Sequence, residues 1–344
     1  MSTKRWLFLI LGTAVILRLL GLGTGDPMGD EVLYGFRAIE MLDYDNAEFQ
    51  TTPLEWQDPQ QQWWTKLSFH DHPPLVFWVQ NLFIKIFGEN PFAFRFPSAI
   101  LGVLSVFLVY LIGRRLLSEN AGLFATAAMT ITANAVFISR VGLQESYVIF
   151  FMLLAFHWFL LALEKEKYFL WVGTAIGLGL LAKYTSFVIV PAFLIYLVLY
   201  KRNVFKNKYF WMGIALAFAV FSPVIVYNVM LYKTTGHFDF QLSYIFNQDP
   251  AVWQSAPGKE EIGAFGDRLK NFIPNLVNTN SWLFLALFAA GAIPAIRKSK
   301  LLLLSLVSCF LSLLLVGPTL RFLTILTPFM VLSIGGSYSL IRTN

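Results

Sequence analysis

Long apolar segments alternate with short basic turns along most of the chain. A helix needs about 20 mostly apolar residues to cross the hydrocarbon core of a bilayer. Candidate spans of this kind lie at residues 5–23, 92–113, 120–139, 146–163, 209–231, 282–296, 300–317 and 321–341. The apolar run 167–200 is too long for one helix, and its polar break at 183–186 divides it into two short ones. The pattern predicts an all-α fold, a polytopic transmembrane helix bundle with about ten spans.

The segment 74–88 decides on which side of the membrane the later loops lie. It is apolar but short for a span, about 21 Å as a helix, and it carries Asn81 and Lys85. If it lies along the surface, one side holds both termini and the basic clusters Lys4-Arg5, Arg114-Arg115, 164–167, 201–208, 297–300 and Arg342. Basic residues collect in cytosolic loops. We therefore expect an interfacial helix at 74–88, cytosolic termini, and two long outer loops at about 24–91 and 232–281.

Composition agrees with a single membrane domain over residues 1–344 in the cell membrane. Of the 344 residues, 57% are hydrophobic and 13% are charged, whereas about 25% are charged in a typical soluble domain. The pI near 9.3 follows from the basic cytosolic loops and does not indicate a nucleic-acid partner. The single cysteine, Cys309, provides neither a disulfide framework nor a cysteine-based metal site. Lys4 and Arg5, followed by an apolar stretch, resemble an uncleaved signal anchor.

Two adjacent carboxylates, Asp30 and Glu31, follow the first span at the predicted outer face. A carboxylate pair beside a membrane can supply a general base. The alternative is that the two side chains are solvated at the interface or cap the following helix. We predict both as catalytic residues of an outer-face site.

Basic residues collect on the same face. Lys183 lies between two short helices, where a buried ammonium group needs an anionic partner such as a lipid phosphate. Snorkelling to the interface is the alternative for this lysine. The other predicted donor-phosphate or substrate-binding residues on the outer face are Arg95, Arg140, Glu145, His72 and Arg321. Each arginine, taken alone, is better explained as an interfacial anchor.

His70 and His72 flank Asp71 just before the predicted interfacial helix. A His-x-His segment in an extended conformation can chelate a metal, although the spacing fixes no third ligand. The alternative is that His72-Pro73-Pro74 starts a helix, with the prolines setting φ. The sequence makes no cofactor certain and does not say whether a metal is required; a divalent cation at His70 and His72 stays an open alternative.

Several short motifs follow one another from the first helix to about Pro191. They are Leu17-Arg18-Leu19-Leu20-Gly21-Leu22-Gly23, Gly29-Asp30-Glu31-Val32-Leu33-Tyr34, His72-Pro73-Pro74-Leu75, Phe87-Gly88, Phe92-Ala93-Phe94-Arg95-Phe96-Pro97-Ser98-Ala99, Ser139-Arg140 five residues before an acid, and Gly179-Leu180-Leu181-Ala182-Lys183. In this order and spacing, together with the predicted topology, the chain resembles the type C superfamily of membrane glycosyltransferases. It is most similar to the branch that contains the protein O-mannosyltransferases and the bacterial lipid A aminoarabinose transferase.

The resemblance implies roles for individual residues. Asp30 would match the catalytic acid of the first outer loop, the base for the acceptor, and Glu31 would match its partner. Arg140, Lys183 and Arg95 would match residues around the phosphate of the donor.

Two features depart from the family pattern. The family usually has Asp where this chain has Glu145, so the role of that position is open. The chain ends soon after Arg321-Phe322-Leu323, which resembles the family's late helix. We therefore expect the soluble C-terminal module of the relatives to be missing or supplied in trans.

These expectations describe a membrane glycosyltransferase. It would move a hexose or pentose from a polyprenyl-phosphate donor to a hydroxyl group of a protein, lipid or glycan acceptor on the outer face, with inversion. A nucleotide-sugar donor does not fit, because the chain has no phosphate-cradling glycine loop. Two alternatives stay open: a lipid or sugar transporter or flippase, and a non-catalytic membrane scaffold with the same fold. A transporter would place ionisable residues at the midplane and show an internal repeat, and the sequence shows neither.

Overall fold

The structure is a computed structural model that describes residues 2–39, 62–246, 248 and 264–338. Every regular element in these ranges is a helix. The predictions that fall on Arg342 and on the central parts of the two outer loops, residues 40–61 and 249–263, lie outside the described residues.

Sixteen α-helices and five short 3-10 helices follow one another in the described ranges. The α-helices are α1 Thr3–Leu19, α2 Asp30–Ala38, α3 Leu75–Phe87, α4 Pro91–Leu116, α5 Glu119–Ile131, α6 Ala133–Arg140, α7 Glu145–Ala162, α8 Phe169–Ala182, α9 Val190–Tyr200, α10 Lys208–Thr235, α11 Phe240–Phe246, α12 Phe265–Thr279, α13 Trp282–Lys298, α14 Lys300–Val316, α15 Leu320–Leu323 and α16 Thr327–Gly335. The main 3-10 segments are Trp63–Leu67, Glu166–Tyr168, Tyr184–Ile189, Arg202–Lys206 and Thr324–Leu326.

Helix length separates clear membrane spans from shorter apolar helices. By length and composition, three described helices, α4, α7 and α10, are able to cross a bilayer, or up to five spans if two bent pairs are counted. The bent pairs are α5 with α6, at 59°, and α12 with α13, at 108°. The predicted count of about ten is therefore not confirmed, although the chain has the helical, membrane-embedded character that the pattern predicts.

The predicted span 120–139 is one of these bent pairs. It breaks at Thr132, whose hydroxyl donates to the carbonyl of Ala128 at 2.6 Å. Side-chain bonds of this kind bend helices. The run 167–200 divides at Lys183, which has an extended backbone (φ −167°, ψ 139°) between α8 and the 3-10 segment Tyr184–Ile189.

Helix α4 is the central element of the half of the fold that carries the predicted site. It packs against α1, α3, α5, α6 and α7. Asn90 caps its first turn by accepting a hydrogen bond from the Ala93 amide at 3.0 Å, and Pro91 occupies the first helical position. The helix then runs for 26 residues, about 39 Å, which is long enough to reach from one face of a bilayer to the other.

Helix α3 forms in the segment where the sequence predicts an interfacial helix. Four of its 13 residues are buried: Val76, Phe77, Gln80 and Ile84. It contacts α4 and α2, so one face of α3 packs against the rest of the protein. Its position along the membrane surface stays a prediction.

Helices α8 and α10 meet through glycine. A Cβ atom added at Gly173 would lie 1.8 Å from the carbonyl oxygen of Gly213, and one added at Gly213 would lie 2.3 Å from that of Phe169. Small residues let transmembrane helices approach until their backbones touch. This contact orients α8, whose C-terminal end leads into Lys183.

Gly173→Ala tests this contact. The added methyl group forces the two helices apart, and overpacking of this kind costs about 1–3 kcal/mol. We expect a lower thermal midpoint for the purified protein in detergent, followed by loss of the monodisperse chromatographic peak. Gly12→Ala is the matched control, because nothing lies within 4 Å of its added Cβ. Equal midpoints for the two variants would contradict the close approach of α8 and α10.

Candidate active site

Four helical ends meet at one end of the bundle and bring together four charged side chains. Asp30 opens α2, Glu145 opens α7, Lys183 follows α8, and Arg321 lies in α15. Gly29 precedes Asp30 with φ 59° and ψ −132°, a backbone conformation that only glycine adopts readily. This turn allows α2 to start with Asp30 directed toward Arg321.

The four side chains form a continuous chain of ion pairs. Lys183 Nζ lies 2.6 Å from Glu145 Oε1, and Arg321 Nε lies 3.0 Å from the same oxygen. The other end of the Arg321 guanidinium contacts Asp30 Oδ2 at 2.5 Å. Arg321 therefore bridges the two carboxylates, and Glu145 holds both cations. We call this set, Asp30–Arg321–Glu145–Lys183, the charge row.

The charge row runs from the surface into the protein. The side chain of Asp30 is 53% exposed and that of Arg321 is 29% exposed, whereas Lys183 is 9% and Glu145 1% exposed. Phe322 packs under both cations, with its ring centre 4.5 Å from Lys183 Nζ and 5.6 Å from the Arg321 guanidinium. A ring face beside a desolvated cation stabilises the positive charge. A solvent-accessible carboxylate thus lies at one end and a buried ammonium group at the other.

Glu31 does not join this row, although it is adjacent to Asp30 in sequence. It is buried and forms a two-pronged pair with Arg95, at 2.7 and 2.9 Å, and it accepts the Gly142 amide at 2.7 Å. Arg95 also donates to the carbonyls of Leu22 and Thr24, at 3.3 and 3.1 Å. The pair thus fastens the turn after α1 to α4. The catalytic and phosphate-binding roles predicted for Glu31 and Arg95 stay predictions, and both side chains are already engaged.

Arg140 also lies apart from the charge row. Its guanidinium donates to the carbonyls of Leu17 and Gly21, at 2.9 and 3.2 Å. These carbonyls lie at the C-terminal end of α1, where a cation compensates the helix dipole. Phosphate binding by Arg140 stays a prediction, because the hydrogen bonds of its guanidinium to Leu17 and Gly21 involve no other predicted site residue.

The His70-Asp71-His72 segment is packed against α2. Asp71 pairs with Arg37 at 2.8 and 2.9 Å. Burial alone would raise the pKa of Asp71, but the Arg37 guanidinium outweighs it and lowers the pKa to about 2. His72 Nε2 shares a hydrogen bond of 2.8 Å with the Tyr34 hydroxyl. Burial lowers the pKa of His72 to about 4 and so keeps the ring neutral at pH 7.

His70 is buried, and its ring packs against that of His237 with centres 5.6 Å apart. Burial lowers the pKa of His70 to about 4. Within the described ranges, no three His, Cys, Asp or Glu residues come together as a metal site would require. Metal binding by His70 and His72 stays a prediction.

Asp239 is a buried polar residue at the edge of the site that the sequence did not indicate. It accepts hydrogen bonds from the Tyr184 hydroxyl, from Asn228 at 2.8 Å and from the Leu242 amide at 2.9 Å. Burial raises the pKa of Asp239. Because Tyr184 follows Lys183 directly, this contact ties the start of the second outer loop to the segment that carries the lysine. In the sequence, an aspartate directly before a short helix looks like an ordinary helix cap. The sequence therefore gives no sign that Asp239 contacts Tyr184.

The comparisons with known proteins point to one superfamily. Residues 71–227 match the family described as dolichyl-phosphate-mannose-protein mannosyltransferase. A putative mannosyltransferase of Bacillus subtilis, YycA, is 34% identical over 142 residues, 40% of this chain and 21% of that protein. An undecaprenyl phosphate-alpha-4-amino-4-deoxy-L-arabinose arabinosyl transferase of Erwinia tasmaniensis is 24% identical over 272 residues, 77% of this chain and 43% of that protein.

Two solved structures share the fold over almost the whole chain. ArnT from Cupriavidus metallidurans, bound to undecaprenyl phosphate, superposes with a TM-score of 0.71 at 15% identity, over 100% of this chain and 61% of that one. The oligosaccharyltransferase of Archaeoglobus fulgidus gives 0.66 at 16% identity, over 98% of this chain and 50% of that one. The chain spans only about a fifth to a third of the first curated relatives that it matches.

The chain shares the fold of ArnT and of the archaeal oligosaccharyltransferase, and the resemblance to the type C superfamily of membrane glycosyltransferases that the sequence motifs predict is confirmed. Within it, the chain resembles the branch that holds the mannosyltransferases and the aminoarabinose transferases.

The different surroundings of Asp30 and Glu31 lead to a stability prediction. Glu31→Gln removes the charge that compensates the buried Arg95, and breaking one side of a buried pair costs about 3–5 kcal/mol. We expect a clearly lower thermal midpoint in detergent. Asp30→Asn is the matched control, since its side chain is 53% exposed, and should melt close to wild type. If Glu31→Gln melted like Asp30→Asn, the Glu31–Arg95 pair would not be a structural clamp.

Proposed function

We propose that the chain transfers a sugar from a polyprenyl-phosphate donor to an acceptor hydroxyl group on the outer face of the cell membrane. The charge row carries this proposal. It combines one accessible carboxylate with two fixed cations a few ångströms away, and it lies where four helical ends meet. Transfer of a sugar from a lipid phosphate needs both kinds of group: a base for the acceptor and positive charge for the departing phosphate.

Lys183 and Arg321 are the proposed phosphate-binding residues. Glu145 fixes both before substrate arrives, so they need no reorganisation as negative charge develops on the leaving phosphate. A lysine ammonium group is a compact positive charge, and an arginine guanidinium group is a planar set of hydrogen-bond donors. Phosphate oxygens pair well with either group. The buried position of Lys183 suits a phosphate that enters from between helices, with the prenyl chain in the bilayer.

Asp30 is the proposed base. Its carboxylate is accessible and contacts Arg321, so an acceptor at Asp30 would lie beside the phosphate-binding cations. Asp30 would take the proton of the acceptor hydroxyl group while that oxygen bonds to the anomeric carbon. The bond from that carbon to the phosphate oxygen breaks, and its electron pair leaves with the phosphate. One displacement of this kind inverts the anomeric centre.

The known proteins support the chemistry at the level of class. The names of the aminoarabinose transferases include undecaprenyl phosphate, the ArnT structure holds that lipid, and the matching family is described by a dolichyl-phosphate mannose. Mannose and 4-amino-4-deoxyarabinose are therefore the first sugars to test. Cytosolic termini and an outward-facing site remain part of the proposal, because they rest on the distribution of basic residues.

A transfer assay tests the proposal. Purified protein in liposomes is given polyprenyl-phosphate donors with either sugar labelled, and the label is followed into transferred or hydrolysed product. We expect Asp30→Asn to lose at least about 100-fold in rate because the base is gone. Lys183→Ala should lose about 100-fold or more because the leaving phosphate is less stabilised.

Lys208→Ala removes a positive charge at the start of α10, far from the charge row in sequence and fold, and should keep the wild-type rate. A wild-type rate for Asp30→Asn would rule out Asp30 as the base. Loss of activity in Lys208→Ala as well would mean that the assay reports on folding and not on the site.

A further inference from the structure

A second cluster of cations lies at the opposite end of the bundle. Four helical ends line an open cavity of ≈ 280 Å³ there: the C-terminal ends of α4, α9 and α13 and the first turn of α14. Its polar lining consists of Arg115, Tyr196, Tyr200, Lys298, Ser299 and Lys300. None of these residues belongs to the charge row.

The distance between the two sites can be read from positions along helix α4. Arg95, beside the charge row, and Arg115, in the cavity, are 20 positions apart on this helix, about 30 Å at the rise of an α-helix. That is the thickness of the hydrocarbon core. The cavity therefore lies at the opposite membrane interface, where the headgroups of the other leaflet are found.

The cavity has an excess of positive charge. Of its three cations, Arg115 pairs with Glu164, whereas Lys298 and Lys300 have no carboxylate within ion-pair distance in the described ranges. Ser299 caps α14 by accepting the Leu302 amide at 3.2 Å. The three cations lie at the exposed rim of this open cavity, and an anion bound among them would relieve their mutual repulsion.

The surroundings favour a lipid as the source of the anion. Tyr196 and Tyr200 pack with ring centres 5.1 Å apart along one wall, and Tyr200 is 51% exposed. On the preceding turns of α9, the side chains of Ile195, Val198 and Leu199 are exposed and apolar, as lipid-facing residues are. Tyrosine rings prefer the headgroup level of a bilayer. A phosphate in the cavity would thus have acyl chains beside α9.

We propose that this cavity binds the phosphate of an anionic phospholipid in the leaflet opposite the charge row. Basic pockets between transmembrane helices bind anionic headgroups in this way. The bound phosphate would join Arg115 of α4 to the Lys298–Lys300 turn between α13 and α14, and so stabilise the packing of this helical hairpin against the bundle. The site is separate from sugar transfer and does not depend on the function proposed above.

Calorimetric titration of the full chain in a non-ionic detergent tests the site. The ligand is dihexanoyl phosphatidic acid, with dihexanoyl phosphatidylcholine and inorganic phosphate as comparisons. We expect saturable binding of one phosphatidic acid per chain and at least about tenfold weaker binding of both comparison ligands. Lys298→Gln/Lys300→Gln should weaken phosphatidic acid binding at least about tenfold, since each cation near the headgroup contributes measurably. Arg115→Gln, on a different helix, should weaken it in the same direction.

The matched control is Lys206→Gln/Arg297→Gln, which removes two exposed cations that do not line the cavity. It should keep wild-type affinity, and the thermal midpoints of all variants check that they remain folded. Equal weakening by the lining and control variants would reduce the effect to general surface charge and overturn the site. Inorganic phosphate binding as tightly as the lipid would overturn the lipid assignment, and the absence of saturable binding would overturn both.

Discussion

A single buried carboxylate, that of Glu145, holds the candidate site together. It lies within 3.0 Å of two cations, Lys183 and Arg321, that come from distant parts of the sequence. A buried ammonium group without a partner would cost several kcal/mol, so Lys183 can remain between two short helices because Glu145 meets it there. The resemblance implied an Asp at this position, and the longer Glu145 reaches both cations with one oxygen. A Glu at this position is therefore compatible with an organised site.

Adjacent carboxylates acquire different surroundings because an α-helix turns by about 100° per residue. Asp30 faces Arg321 at the accessible end of the charge row, whereas Glu31 faces Arg95 in the interior. One position thus remains available for a substrate while its neighbour fastens the turn after α1 to α4. The sequence pair looked like two members of one site, but the structure gives the two side chains different cations and different exposure.

Local patterns predicted much of the fold, and contacts between distant residues account for what they missed. The apolar run 167–200, its break at Lys183 and the helix at 74–88 could all be located from hydrophobicity and polar interruptions. The bend at Thr132 could not, since residues 120–139 read as one apolar stretch without a proline. For the site, the motifs indicated Asp30, Lys183 and Arg321, but neither the bridging by Arg321 nor the Tyr184–Asp239 contact has a signature in the local sequence.

The proposed function requires the charge row to bind the phosphate of a polyprenyl lipid. A cryo-electron microscopy structure of the full chain with undecaprenyl phosphate in a lipid nanodisc tests it most directly. We expect phosphate oxygens within hydrogen-bond distance of Lys183 Nζ and the Arg321 guanidinium, with Asp30 facing the space beside the phosphate. A phosphate seated on Arg140 or elsewhere, with the ion pairs of Glu145 intact and Lys183 untouched, would contradict it.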